Sequence, residues 1–486
     1  MKRDGIGLGT LSPFTLFGKF FIPTLLGMLS ISSVTALDGI FVGHGIGSDG
    51  IAAINICIPL LMLFTGVGLM TGAGASVVAS IHLSKGQEKA ARVHVTQALL
   101  FATFVAFVPS VFMMIYPSAT ARWLGASEYL TPMVREYLLW FVPSLMFQMW
   151  CSVCLFVIRL DGRPKLAMIV QLVAAAVSAA LGYLFVFPLG WGLMGAALAA
   201  TIGLFVGGLI GIVYLWRFAD RLRLYPVERS AKCLRLTVRN IGYQCRIGSS
   251  ALLTEGTLAM LMFVGNRIFM KYLGDDGVGA FGIACYYIPF VFMVGNAIAQ
   301  SAQPIISYNF GLGRGDRVAA TERIALITSV VCGVLITAAF ALFPRALVGL
   351  FIDPESAAAC MAIAGFPYFS TAFVFFILNL CVIGYYQSVE QVRPAVFYAL
   401  LRGFLFLVPC FILLPRAIGT KGIWLTLFVS EALTAAVSAL VYAAGLARRR
   451  LYARKAALRE TIGQPGRDRF SGLGPETETE PYAVFP

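Results

Sequence analysis

Charge is what this sequence has least of. Only 12% of its 486 residues are Asp, Glu, Lys or Arg, against roughly 25% in soluble globular domains. A chain so poor in charge has no means of covering itself with a solvated surface. Histidine is scarcer still, with three residues, so no His-rich metal site is available. There is no G-x-x-x-x-G-K-[ST] loop, which argues against ATP drive within this chain. An H-E-x-x-H, a G-x-S-x-G and an Asp-rich metal–diphosphate cluster are missing as well. The chain is therefore read as something other than an enzyme. Ten cysteines occur, but they are scattered through apolar runs and read as small core side chains rather than a disulfide framework. Cys151 and Cys154 form a C-x-x-C with no second pair and no histidine nearby.

Apolar residues are what the sequence has in excess: 59% are hydrophobic and the mean hydropathy is +0.84. Membrane helices need about 20 largely apolar residues. Twelve such runs can be marked, at 14–42, 51–81, 94–116, 137–158, 166–187, 193–216, 247–270, 278–306, 324–343, 360–384, 395–414 and 423–446. The fold class is all-α integral membrane. Lys2 and Arg3 precede the first run, but that run is long and lacks an A-x-A-like cleavage site, so it is kept as a helix.

The formal net charge of +14 raises nucleic acid as a partner, so the placement of the charge matters. Most Lys and Arg residues fall in alternate connections, including Lys85, Lys89 and Arg92, then Arg159, Arg163 and Lys165, the stretch Arg217 to Arg246, and Arg448 to Arg469. The opposite connections hold only Arg122, Arg135, Lys271, Arg345, Arg416 and Lys421. This bias places both termini in the cytoplasm. Topology and lipid headgroups account for the basic excess, and no nucleic acid is required. The expected organisation is an N-terminal six-helix lobe at 1–216, a basic linker at 217–246, a second lobe at 247–446 and a cytoplasmic tail at 447–486. Its last residues, GPETETEPYAVFP, are expected to be disordered.

The two halves repeat. GSDGIAAINI from Gly47 matches GDDGVGAFGI from Gly274, KGQEKAA from Lys85 matches RGDRVAA from Arg314, and Arg163-Pro164 matches Arg393-Pro394. An even number of crossings separates matching positions, so the repeats run parallel. In transporters built this way the substrate site lies between the halves.

Three stretches carry a family resemblance: LDGIFVGHGIGSDGIAAINI from Leu37, GWGLMGAALAAT from Gly190 and AQPIISYNFGLGRGDRVAAT from Ala302. From about Phe14 to Ala447 the chain resembles the multidrug and toxic compound extrusion (MATE) transporters, most of all their bacterial MepA-like branch. The resemblance implies twelve helices as two six-helix lobes in a V. It also implies export of cationic or amphiphilic compounds against H⁺ or Na⁺, with no other cofactor, by a monomer in the bacterial inner membrane. Asp38 falls where many members carry the helix-one acid linked to ion coupling. Many members also show Asn-x-x-x-Asp in helix five, where this chain has Ser178 and Gly182. A lipid-linked or polysaccharide flippase of related fold is the alternative. It should show a strongly basic cavity, whereas the arginines inside the runs are Arg267 and Arg402. A membrane-embedded transferase or a receptor would need an acidic or His-rich cluster, or a folded domain outside the membrane.

Three acids fall inside the apolar runs: Asp38, Glu255 and Glu431. Intramembrane acids are costly and mark ion pathways by default, so these are the candidates for ion coupling. For Asp38 the competing reading is an interfacial carboxylate that caps the turn after helix one. For Glu255 it is a buried structural pair with Arg402. Asn266, Asn296, Gln300, Gln303 and Asn379 are candidate substrate-binding groups, with interhelical packing as the competing role. Pro23, Pro289, Pro304 and Pro367 are expected to interrupt helices, and Gly66, Gly68, Gly72 and Gly74 to form one small-residue face on helix two. His44, His82 and His94 are expected beside loops, without a role.

Overall fold

The computed structural model describes residues 7–226 and 231–461. The GPETETEPYAVFP stretch lies outside these. The described chain is helical almost throughout. The first half comprises α1 (Pro13–Gly45), α2 (Ser48–Ser84), α3 (Glu88–Ile115), the short α4 (Pro117–Trp123), α5 (Thr131–Leu160), α6 (Pro164–Val186) and α7 (Gly192–Val213). The second comprises α8 (Ala231–Gly311), α9 (Gly315–Leu342), the short α10 (Pro344–Gly349), α11 (Ala357–Ser370), α12 (Ala372–Ser388), α13 (Val392–Leu400), α14 (Leu407–Ile418) and α15 (Thr420–Thr461). Among the described residues, 11 helices are long and apolar enough to cross a membrane, and 12 if α11 and α12 form one bent span.

Local chemistry explains the helix ends. Proline takes the first helical position of α1, α4, α6 and α10, where its missing N–H would have been unpaired anyway. The turn after α1 requires Gly47 at φ 97°, and the equivalent turn inside α8 requires Gly274 at φ 66°. Only glycine occupies that region without strain. The matched GSDG and GDDG motifs are thus one turn built twice. At Gly274 the chain reverses, so α8 is two spans, Leu234–Gly274 and Asp276–Gly311.

Two sequence expectations need correction. The basic stretch 217–246 is mostly helix, since α8 begins at Ala231. Pro23, Pro289 and Pro304 lie inside continuous helices. Pro367 lies close to a break, the α11–α12 junction, where the span bends by 46°. There the freed carbonyls are satisfied by side chains, as a broken membrane helix requires: Thr371 donates to the Tyr368 carbonyl at 2.6 Å, Ser370 to that of Pro367 at 3.2 Å, and Thr337 from α9 to that of Ser370 at 2.7 Å.

The two halves meet chiefly along α2 and the first arm of α8. A Cβ at Gly74 would collide with the Gln244 carbonyl, and one at Gly248 with that of Met70. Small residues let these two backbones approach closely. The α2 glycines therefore divide between two faces: Gly66 and Gly74 meet α8, whereas Gly68 and Gly72 meet Ser152 and Phe156 on α5. Hydrogen bonds between the halves gather at the end of the bundle that carries the basic connections. Gln303 donates to the Ala73 carbonyl at 3.2 Å, and Gln244 approaches His94 Nδ1 at 2.8 Å. Asn309 donates to the Leu8 carbonyl at 3.0 Å, and Arg317 to that of Leu11 at 2.5 Å. The molecule is closed at this end.

Candidate functional site

Asp38 lies late in α1, partly buried. Its Oδ1 would stand 3.7 Å from a Cβ at Gly182 of α6, and the Tyr137 side chain of α5 is within electrostatic range. The position that reads Gly182 in place of an acid therefore does face Asp38. The space there is left to Phe41, whose ring would touch a Cβ at 3.4 Å.

Glu255 occupies the first arm of α8 and is 6% exposed. Its Cβ would lie 3.4 Å from a Cβ at Gly66, so the acid sits at the seam between the halves. Arg402 is not its partner. The Arg402 guanidinium donates to Glu431 Oε1 from Nε at 3.0 Å and from Nη2 at 2.8 Å, with both side chains fully enclosed. Asn379 completes this cluster, donating to Glu431 Oε2 at 2.7 Å and to the Glu431 carbonyl at 2.9 Å. The Phe376 ring lies 4.4 Å from the guanidinium. A π-helical turn over Leu401–Leu405 puts Arg402 there by shifting the register of the helix at that point. Glu431 thus serves Arg402 and Asn379 inside the second half.

The amides divide. Asn296, Gln300 and Gln303 line a cavity of about 40 Å³ between the halves, together with Phe156, Thr254 and Gln387. Gln300 also accepts from Arg159 Nη1 at 2.5 Å, and Gln303 holds α2 as described. Asn266 is exposed and lies outside this cavity.

Three polar features differ from the sequence expectation. Arg159, counted with the basic connections, is the penultimate residue of α5 and only 2% exposed. It contacts Gln300 and the Phe156 ring, and its Nε meets no acceptor. His82 and His94 are in helices and stacked with centroids 5.1 Å apart, and His94 is buried. Glu322 in α9 is fully buried with neither carboxyl oxygen bonded. The sequence does hint at Glu322, which stands in a helical stretch beside the apolar run taken to begin at 324.

Spans in two repeated halves, a small cavity between them with amides in a largely apolar wall, and acids placed within the spans are the marks of a secondary transporter. The MatE family profile matches the chain at residues 23–184 and again at 251–412, two segments of equal length in the register of the internal repeat. The chain belongs to the MatE family and is a multi-pass membrane transporter rather than an enzyme. Among curated relatives it is similar to the multidrug export protein MepA of Staphylococcus aureus strain MSSA476, 22% identical over 447 residues that cover 91% of this chain and 96% of that protein. It is also similar to MepA of Staphylococcus saprophyticus, 24% identical over 448 residues covering 91% and 95%. Its fold is that of a MOP superfamily transporter from Pyrococcus furiosus described as having a binding pocket of reversed polarity, with TM-score 0.83, 18% identity and coverage of 94% and 99%. A MATE family transporter in an outward-facing conformation superposes equally well, with TM-score 0.83, 18% identity and coverage of 93% and 99%.

Proposed function

We propose that this transporter exports cationic or amphiphilic small molecules in exchange for H⁺ or Na⁺, with Asp38 and Glu255 as the coupling acids. The observation that carries this reading is the placement of Glu255, enclosed at the seam beside the inter-lobe cavity while Arg402, its candidate partner, is held by Glu431. The likeness to the MepA proteins supports the substrate class and a place in the MepA-like branch. Orientation with both termini in the cytoplasm of a bacterial inner membrane rests on the Lys and Arg bias. On that orientation the closed end is the cytoplasmic one, so the described state opens outward. Ions bind the acids from outside, the lost negative charge releases a cationic substrate, the lobes rock, and the ion leaves inside. One charge crossing 100 mV contributes about 2.3 kcal/mol and each pH unit about 1.4 kcal/mol. One proton then sustains a substrate gradient on the order of a few hundredfold.

Glu431 and Asn379 leave the set of ion and substrate ligands, because the Glu431 carboxylate is taken by Arg402 and by the Asn379 amide N–H. Asn296, Gln300 and Gln303 remain as polar contacts for substrate once the seam opens. A second reading has one observation in its favour. Arg159 is a buried cation at the seam that meets Gln300 rather than a carboxylate, and it would suit a substrate carrying phosphate or carboxylate, as for a lipid-linked or polysaccharide flippase.

The test is ethidium export from proteoliposomes under a pH gradient and a sodium gradient imposed separately, for wild type, Asp38→Asn and Glu255→Gln. Export driven by one gradient and lost in either variant supports antiport and names the ion. A folded protein that moves ethidium under neither gradient, but scrambles an anionic lipid-linked sugar, would move the weight to the flippase.

A further inference from the structure

The acid for which the exchange cycle has no use is Glu322. It sits two turns into α9, is 0% exposed, and neither carboxyl oxygen meets a donor. The titratable groups in electrostatic range of it are Cys381 and Tyr386, both from α12. Among the described residues α11 and α12 carry no Asp, Glu, Lys or Arg, and Lys19 of α1 is exposed. Asp38 faces Gly182, Glu255 of α8 lies against Gly66 with the other described charged side chains of α8 exposed, and Arg345 of α10 is exposed and paired with Glu355. On its own helix, Arg317 is turned to Asn309 and the Leu8 and Leu11 carbonyls, and Arg323 is exposed. A carboxylate anion so enclosed, meeting no donor from the protein, is far costlier than the neutral acid. The group therefore holds its proton in this conformation. A bare metal cation would need several oxygen ligands at once, and the neighbouring hydroxyls of Thr321 and Ser329 donate to carbonyls of their own helix.

The position of α12 gives this proton a consequence. Leu380, Ile383, Gly384 and Gln387 turn one face of α12 to the central cavity. At helical spacing Cys381 and Tyr386 flank the opposite face, so Glu322 stands behind the helix that forms a cavity wall. We propose that Glu322 is a proton-binding site of the second lobe, separate from Asp38 and Glu255, whose occupancy sets the packing of α9 against α12 and thereby the cavity wall. With the proton bound, α12 seats against the neutral acid as described here. When the two helices part and water enters, the O–H bond breaks, the proton passes to water, and the carboxylate that remains holds the helices apart until it is protonated again. This rests on the antiport reading and adds to it that the coupling ion is H⁺.

The experiment compares wild type with Glu322→Gln, which has the shape and neutrality of the protonated acid. Both are reconstituted in proteoliposomes under the two gradients, with melting temperature and ethidium binding measured alongside. Glu322→Gln should fold and bind like wild type, yet sustain a substrate gradient lower by about tenfold for each pH unit imposed, the worth of one proton. In infrared difference spectra between low and high pH, a C=O stretching band of a dry carboxylic acid should vanish in the variant. Wild-type export driven by pH with an unchanged gradient in Glu322→Gln overturns this site and leaves antiport standing. Export driven by sodium alone does the same. A variant that fails to fold overturns the site too, since a neutral isostere is what the protonated acid already is. Wild type driven by neither gradient removes both readings together.

Discussion

Replacing Arg402 by methionine, or Glu431 by glutamine, tests whether the charged cluster of the second half is structural. Both side chains are fully enclosed, and three N–H donors from Arg402 and Asn379 converge on the Glu431 carboxylate. Removing either charge strands the other where water does not reach, which costs about 3–5 kcal/mol. Removing both charges, in Arg402→Met with Glu431→Leu, takes away the pair and its desolvation penalty together. The double variant should fall near wild-type stability, or above it by up to about 4 kcal/mol. The assay is denaturant unfolding in detergent micelles followed by circular dichroism, arranged as a double-mutant cycle. Single variants that lose less than about 1 kcal/mol, the range of an exposed pair, would refute the reasoning. So would a double variant as unstable as either single one. The double variant should also retain ion-driven export, and its loss would return Glu431 to the coupling acids.

Gly74→Ala should open the seam, because the new methyl group meets the Gln244 carbonyl on α8; spin-label distances across α2 and α8 at the basic end should lengthen relative to wild type. Gly182→Ala meets only ordinary contacts with Phe41 and Asp38 and should gain about 0.5–1 kcal/mol from the lost backbone freedom of an unfolded glycine, read by the same unfolding assay. Glu390, in the turn between α12 and α13, has its carboxyl held above the usual range by burial, opposed by the Tyr243 hydroxyl. An acid raised on folding contributes stability that is complete below its unfolded value and is lost as pH rises through its folded one. Glu390→Gln should therefore be as stable as wild type in acid, more stable near neutrality, and show a flatter pH dependence of melting temperature between the two.

Twelve runs of sufficient length and apolarity were legible from composition alone, because a bilayer leaves few ways to satisfy a backbone other than a helix. The repeat was legible too: a turn with φ 97° and ψ −166° at one copy and φ 66° and ψ −157° at the other is open to glycine alone, so Gly47 and Gly274 had to recur in matching contexts. Helix ends beyond the apolar core were less so. Residues 231–246 are polar enough to read as a linker, yet their helix is completed by bonds such as that between Asn240 and Gln97 on α3.

The candidate acids were found by type and depth, which a sequence does report. Which acid is free is a question of partners far apart in the chain. Arg402 could have served Glu255 or Glu431, and only the π-helical turn at Leu401–Leu405 decides for Glu431. Arg159 and Glu322 both stand at helix ends beside basic residues, where a sequence places them in water. Packing encloses them instead, because α5 meets the second arm of α8 at Gln300 and α9 lies against α12. Sequence determined that this chain spans a membrane twelve times in two like halves with acids inside. The tertiary structure alone decided which of those charges are neutralised, since the energy of a buried charge depends on its nearest neighbours in space.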